Sequence, residues 1–329
     1  QVPHPQLSFI PLGGSDQAST PLSLGNIANG KIAFISDGVH IMNPDGTEVQ
    51  EISTPEEGIA SSPAWSPDGR RLAFLQDADG RRELIIVDPT SGAVITPTQE
   101  TGDVNSLAWS PDSRSLAFVA GNGLFVISVE DMNPTLVAEG GYPTWSPDGT
   151  QIAYQNGESI HVTDVDGAGD VRLAEGFLPA WSPTDARIAF VDNADLQIIA
   201  MNADGTERTR LTDIPSDDTG RPTWAPDGSR IAFEVLHDGD YDIYAIDEDG
   251  TGLDDLTQGR GDENVPTWSP DGTKIAFIAG KAVSDNPRNT GTFDIHVIDA
   301  DGTQTARLTD GRAPAYALSW QRLESTLSD

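Results

Sequence analysis

The sequence predicts an all-β protein, a seven-bladed β-propeller with four antiparallel strands in each blade. Three observations predict it: a twelve-residue string that recurs along the chain, seven tryptophans, and Asp-Gly turns between short apolar segments. The string reads PTWSPDGTKIAF at 266–277, PTWSPDGTQIAY at 143–154 and PTWAPDGSRIAF at 222–233. A segment that recurs this often indicates a structural repeat, because one blade buries its two faces only when it is stacked between neighbouring blades.

The first two strands of each repeat form a hairpin. In six repeats a tryptophan is followed seven residues later by Leu or Ile, then by Ala and by Phe or Tyr. The linking SPDG sequence (66–69, 146–149 and 269–272) places Pro and Asp-Gly where a tight turn needs them. The tryptophans are Trp65, Trp109, Trp145, Trp181, Trp224, Trp268 and Trp320. Their constant register predicts packing between blades rather than sugar-stacking platforms.

The third and fourth strands follow in the same order in each repeat. DIHVID (294–299) is typical of the third strand, and TARLT (305–309) is typical of the fourth. An Asp-Gly turn such as DADGT (299–303) joins them. This turn offers fewer oxygens than a calcium loop of the EF-hand kind requires, so we interpret it as a hairpin turn.

The two ends of the chain carry the two halves of one repeat. KIAFI (31–35) has no tryptophan strand before it, and YALSWQ (316–321) has no second strand after it. We therefore expect residues 316–321 to complete blade 1 and close the ring, which removes an open sheet edge. The predicted domains are a tail or linker at 1–26, the propeller at 27–321 and a C-terminal tail at 322–329.

PTWSPDGTKIAF followed by DIHVIDADGTQTARLT resembles the repeat of TolB-type β-propellers, and the resemblance covers roughly residues 25 to 321. It implies the same propeller fold and partner proteins that bind at the mouth of the central tunnel. The 24 residues ahead of the first blade are too few for the N-terminal α/β domain of TolB, so we expect the propeller without it. Related propellers also precede α/β-hydrolase peptidases, but this sequence contains no G-x-S-x-G motif.

Composition excludes several classes of partner. The chain has 52 acidic and 19 basic residues, a net charge of −33, and no cysteine. Such a charge repels phosphate backbones and anionic lipid, so we expect no nucleic acid partner, and no apolar run is long enough for membrane insertion. Strong acidity suggests an exported protein or one from a salt-rich cytoplasm. We expect an extracytoplasmic protein that is periplasmic, on the cell surface or secreted.

The variable loops of blades 6 and 7 carry the candidate site. We expect these loops to be neighbours on one face of the ring, where hard oxygen ligands favour Ca²⁺. The alternative is a solvated acidic rim. The candidate metal ligands are Asp217, Asp218, Asp238, Asp240, Asp262 and Glu263. The candidate partner-binding residues are His237, Tyr241 and Asn264. His40, His161 and His296 share one repeat position on three different blades, which predicts a structural role.

Two functions from different classes remain open. The first is a non-catalytic binding or scaffold protein that engages a protein or glycan partner through the variable face and the tunnel mouth. The second is a metal-assisted polysaccharide lyase or glycoside hydrolase with a site at the tunnel mouth. No catalytic or organic cofactor residues are assigned. The segment at 1–26, rich in Pro, Ser and Gly, is also a candidate for self-association, since LSFIPL (7–12) has the character of an added strand.

Overall fold

The computed structural model describes residues 29–53, 59–78, 80–97, 103–237, 239–259, 261–280, 293–311 and 317–322. Every regular element in these residues is a β-strand, and the strands form seven antiparallel sheets. In the described part of the chain no helix has the length and apolar character that a membrane span needs. The all-β prediction is confirmed.

The strands follow the repeat. Blades 1 to 3 contain β1 (Asn29–Ile35), β2 (Val39–Met42), β3 (Gln50–Ser53), β4 (Ala60–Trp65), β5 (Leu72–Ala78), β6 (Arg81–Asp88), β7 (Ala93–Ile95), β8 (Val104–Trp109), β9 (Ser115–Ala120), β10 (Gly123–Ser128) and β11 (Thr135–Glu139). Blades 4 and 5 contain β12 (Gly141–Trp145), β13 (Gln151–Asn156), β14 (Ser159–Asp164), β15 (Val171–Glu175), β16 (Phe177–Trp181), β17 (Arg187–Val191), β18 (Ile198–Asn202) and β19 (Thr209–Arg210). Blades 6 and 7 contain β20 (Asp218–Thr219), β21 (Thr223–Trp224), β22 (Arg230–His237), β23 (Asp240–Asp247), β24 (Asp254–Asp255), β25 (Asp262–Trp268), β26 (Lys274–Gly280), β27 (Phe293–Asp299) and β28 (Thr305–Arg307). The last strand is β29 (Leu318–Arg322).

The ring closes through blade 1. Its sheet order is β29-β1-β2-β3, so the last strand of the chain is the inner strand of the first blade. Ile32 pairs with Trp320 and Phe34 with Leu318 in this antiparallel seam. The inner strands contact one another in turn, β4, β8, β12, β16, β21, β25 and β29, and β29 contacts β4 again. These contacts surround a central channel.

The core lies between blades and not within one. Each apolar cluster joins the facing sides of two adjacent sheets, such as Ile231 and Phe233 of blade 6 with Ala189 and Val191 of blade 5. In blades 2 to 7, the Phe or Tyr of the second strand is among the most buried side chains of the described residues. A blade removed from the ring would expose two such faces.

Blade 6 departs from the four-strand plan. Its inner strand is interrupted, and the two pieces β20 and β21 both pair with β22. Pro222 lies in the interruption, but Pro143 and Pro266 hold the same position in the continuous strands β12 and β25, so proline alone does not explain it. Gly220 lies there too, and a Cβ at this residue would come within 2.1 Å of Glu234 Oε2. The absence of a side chain at Gly220 therefore leaves room for the partly buried Glu234 carboxylate.

Candidate binding site at the variable face

The strand order places the connections on two faces of the ring. The turns between strands one and two and between strands three and four share one face, which we call the turn face. The connections between strands two and three and between blades share the opposite face, which we call the variable face. The predicted loops of blades 6 and 7 belong to the variable face.

Aspartates on the turn face serve their own hairpins. Asp148 Oδ1 accepts hydrogen bonds from the Ser146 hydroxyl at 2.7 Å and from the Thr150 amide at 3.0 Å. Asp204 Oδ1 accepts from the Thr206 amide at 2.9 Å and hydroxyl at 2.6 Å. These bonds favour the ionised carboxylates and lower the pKa of Asp148 and Asp204. The turn interpretation of both motifs is confirmed.

The tryptophans join neighbouring blades. Each is 6–8% exposed. In four of them Nε1 donates to a backbone carbonyl of the preceding blade, as Trp109 does to Ala64 at 3.0 Å and Trp145 to Ala108 at 3.0 Å. Trp224 and Trp268 make the equivalent bonds to Ala180 and Thr223. Packing between blades is confirmed.

The three histidines of the common repeat position are separated in space. Each packs on the aromatic side chain of the second strand in its own blade, with ring centroids 5.3–5.5 Å apart. His40 lies on Phe34, His161 on Tyr154 and His296 on Phe277. They do not converge on one ligand, and the structural interpretation is confirmed.

Three of the four predicted loops meet around Tyr241. Its hydroxyl donates to Asp218 Oδ2 at 2.7 Å, and its backbone amide donates to Asp262 Oδ1 at 3.3 Å. Burial and the Asp218 carboxylate raise the pKa of the Tyr241 phenol well above its usual range. Tyr241 therefore links its own hairpin to the inner strands of blades 6 and 7.

The other predicted residues are more dispersed. Asp217 is exposed immediately before β20. His237 and Asp240 are exposed partners at the end of the β22–β23 hairpin, so His237 ends a strand and does not lie within a loop. Asn264 is half-buried in β25 opposite Ile278. Asp238 and the insertion at 281–292 lie outside the described residues, as do residues 1–28.

Two glutamates lie at the interface of blades 6 and 7, Glu263 buried and Glu234 partly buried. Glu263, expected on an exposed rim or as a metal ligand, is 3% exposed because it lies on the inner strand β25. Burial, followed by the charge of Asp242, raises its pKa to about 7. Glu234 was not predicted; its carboxylate accepts a hydrogen bond from the Val265 amide across the interface. Burial raises its pKa as well.

The described carboxylates are not grouped as metal ligands. Among the described residues, no three His, Asp or Glu side chains are placed to hold one ion. Asp238 is outside this set. The calcium site therefore stays a prediction.

The central channel contains a cation that was not predicted. Arg221 and Tyr142 each lie three residues before a tryptophan, on the inner side of blades 6 and 4. These blades are not adjacent, yet the two side chains lie close enough for Tyr142 to affect the pKa of Arg221. Both side chains therefore project into the channel. Arg221 is exposed to channel water, and Tyr142 is 46% exposed.

The strands around the channel enclose the guanidinium of Arg221 and lower its pKa, although the residue keeps exposed surface within the channel. In the chain as described, Arg221 has neither a carboxylate partner nor a hydrogen bond. Counting back three residues from Trp224 would have identified this position as part of the channel lining. The residues three positions before the tryptophans of the other blades are Ser62, Ser106, Tyr142, Leu178, Val265 and Ala317.

The sequence profile of the TolB beta propeller domain matches residues 33–178 and 155–287. The chain belongs to this family. A curated relative, the protein TolB homolog of Chlorobium luteolum, is 32% identical over 81 residues. That alignment covers 23% of this chain and 18% of the relative, so most of the relative's length lies outside it.

Two solved structures share the fold. TolB from Acinetobacter baumannii superimposes with a TM-score of 0.59 at 19% identity, over 89% of this chain and 66% of that one. An oligogalacturonate lyase in complex with manganese gives a TM-score of 0.64 at 17% identity, over 85% of this chain and 86% of that one. At these identities the likeness shows the fold alone.

Proposed function

We propose that this TolB-like propeller is a non-catalytic binding protein whose channel mouth and variable face engage a segment of a partner protein. The observation that carries the proposal is Arg221, an exposed guanidinium three residues before the inner-strand Trp224, which has no carboxylate partner among the described residues and lies near Tyr142. A guanidinium binds carboxylates through two parallel hydrogen bonds, and an aromatic ring adds a large contact surface. The two side chains suit a partner segment that carries an acidic residue.

The seven-bladed ring supports this proposal by its rigidity. Loops that vary in sequence are held by a repeated scaffold, and propellers of many functions place their sites on such loops. The exposed residues His237, Asp240 and Tyr142 lie on or near this side of the molecule as further contacts. We place the protein outside the cytoplasm as part of the proposal, since its acidity is typical of exported chains, and cell fractionation tests this.

Phage-displayed peptides selected on the immobilised protein test the proposal. We expect the selected peptides to contain an acidic residue and to lose affinity when Arg221 is changed to alanine. Arg114→Ala is the matched control, because Arg114 is exposed on the turn face. Equal binding to the wild type and both variants, or no selected peptide at all, would contradict the proposal. A glycan array tested with the same three proteins shows whether the partner is a carbohydrate.

The catalytic alternative is tested separately. Likeness to the oligogalacturonate lyase concerns the fold, so we do not assign that activity to this chain. Incubation with polygalacturonate and Mn²⁺ or Ca²⁺ reveals a lyase by the ultraviolet absorbance of the unsaturated product. Metal-dependent product formation that survives Arg221→Ala would replace the binding proposal with a catalytic one.

A further inference from the structure

A cavity of about 610 Å³ opens between blades 6 and 7, next to the acidic residues of the variable face. We call it the interblade cavity. Its volume falls within the range of small-molecule sites, about 300–1,000 Å³. Its lining includes Thr257, Glu263, Phe277, Asp294, His296 and Arg307.

Two carboxylates, one lining the cavity and one next to it, accept hydrogen bonds from protein donors. Asp294 accepts hydrogen bonds from Thr309 at 2.9 Å and Gly311 at 2.6 Å, and it forms an ion pair with Arg307 at 2.9 Å. Asp242, which lies behind Thr257, accepts from the Thr257 hydroxyl at 3.2 Å and the Gly259 amide at 2.6 Å. Neither needs a ligand for its charge.

Glu263 is different from both. It is 97% buried (3% exposed), lines the cavity, and its Oε2 has no hydrogen-bond donor in the part of the chain that the structure describes. A buried carboxylate that lacks a partner is costly, because transfer of a charge from water is opposed unless that charge is paired. Glu263 therefore places an incompletely hydrogen-bonded carboxyl group at the wall of a space large enough for an organic molecule.

The other blades show that the fold itself does not require an acid here. Glu263 lies five residues before the tryptophan of its blade. The equivalent positions of blades 2 to 6 hold small or apolar residues, namely Ala60, Val104, Gly140, Gly176 and Thr219. Ala60, Val104 and Thr219 are as deeply buried as Glu263. Packing between blades therefore does not explain the glutamate.

We propose that the interblade cavity binds an aliphatic primary ammonium group, with Glu263 as its counter-ion. An ammonium donates three hydrogen bonds, and Glu263 supplies a carboxyl group at the cavity wall to accept one of them. The apolar stem of such a ligand packs along Phe277 and His296, whose rings lie 5.5 Å apart. This proposal does not depend on the proposed function, since Arg221 belongs to the channel.

The remaining groups of the cavity are compatible with a cation. Burial lowers the pKa of His296, so its ring is neutral at pH 7 and does not repel a positive charge. Arg307 is committed to Asp294. A bare divalent ion fits less well, because Ca²⁺ takes about six to eight oxygen ligands and the described residues contain no group of three acidic or histidine ligands.

Isothermal titration with cadaverine, a diamine, tests the proposal on the full chain. We expect one binding site in the wild type and an affinity about tenfold or more lower in Glu263→Gln, which loses a charge-assisted hydrogen bond. Glu139→Gln, which removes an exposed charge from β11 of blade 3, should leave the affinity unchanged. Pentanediol, which has the same stem without charge, should not bind.

A blocked lysine amide, the variant Glu263→Asp and a titration with Ca²⁺ complete the test. A blocked lysine amide, titrated beside cadaverine, shows whether a lysine side chain or a free amine is the better ligand; binding of either one supports the ammonium site. Glu263→Asp keeps the charge and should retain part of the affinity, which keeps the test valid if Glu263→Gln fails to fold. Equal weak binding to all variants, or Glu263-dependent binding of Ca²⁺ that exceeds that of both amines, would overturn the proposal.

Discussion

Ile32 in the first described strand pairs with Trp320 in the last, and this pair closes the ring. Trp320 is 7% exposed and packs against blade 7 as well as its own blade. The seam therefore holds together two blades that are distant in sequence.

Truncation after residue 316 should destroy the cooperative fold. It removes β29, leaves β1 with an unpaired edge, and deletes Trp320, whose truncation alone would cost about 3–5 kcal/mol. We expect aggregation or a broad, non-cooperative melting curve by circular dichroism. A soluble monomer that melts as the full chain does would show that closure is not needed.

The hydrogen bond between tryptophan and the preceding blade should be measurable with a matched pair of variants. Trp145 Nε1 donates to Ala108, whereas Trp181 Nε1 has no partner among the described residues, although both side chains are buried. Changing each to phenylalanine removes similar volume. We expect Trp145→Phe to cost about 1 kcal/mol more in the free energy of unfolding, measured in urea. Equal losses in the two variants would mean that the free energy of unfolding depends on side-chain volume and not on the hydrogen bond.

Asp294 should stabilise blade 7 by joining the start of its third strand to the segment after its fourth. Its bonds to Thr309 and Gly311 match those of Asp242 to Thr257 and Gly259 in blade 6. Asp294→Ala leaves the Gly311 amide without its acceptor, and we expect a loss of about 1–3 kcal/mol in urea unfolding.

Asp294→Asn is the control, because an amide oxygen still accepts both bonds. Blade 5 shows that an amide suffices there, since Gln197 Oε1 accepts from Thr212 and the Ile214 amide at 2.9 Å each. A loss in Asp294→Asn as large as that in the alanine variant would assign the effect to the ion pair with Arg307 instead.

Repetition made the fold predictable. A role that is ambiguous in one copy, such as Asp68 or Trp65, becomes clear when the same residue recurs at the same spacing. Strand order then followed from the period and the turns, and closure followed from the half-repeats at the two ends. The interruption in blade 6 was not predicted. Pro222 lies two residues before the tryptophan, and other blades also have proline at this position.

The candidate site was harder to predict because it depends on exceptions to the repeat. Asp262 and Glu263 are adjacent, and composition alone treats both as surface acids. Strand register separates them, since side chains of successive residues point to opposite sides of a strand. Proximity across blades, as between Arg221 and Tyr142, depends on the closed ring and is not encoded in the spacing of either residue.

The pKa of Glu263 predicts how stability depends on pH. Burial raises it to about 7, above the ordinary 4.5, so the folded protein holds this proton more tightly than the unfolded chain does. Between these two values the folded state binds more protons, and its free energy of unfolding therefore falls as the pH rises. Above pH 7 the folded protein carries the full free-energy cost of ionising the buried Glu263. This cost is roughly 3 kcal/mol, at about 1.4 kcal/mol for each pKa unit.

Glu263→Gln removes the cost of ionising this residue. Comparison with the wild type therefore separates the contribution of Glu263 from those of the other carboxylates. In amine-free buffer, we expect the two proteins to differ little at pH 5 and the variant to be the more stable at pH 8, by urea unfolding. Glu139→Gln, an exposed change of the same charge, should show no such divergence. Curves for wild type and Glu263→Gln that stay parallel from pH 5 to 8 would mean that Glu263 is ionised at an ordinary pKa, with its charge stabilised by the protein itself.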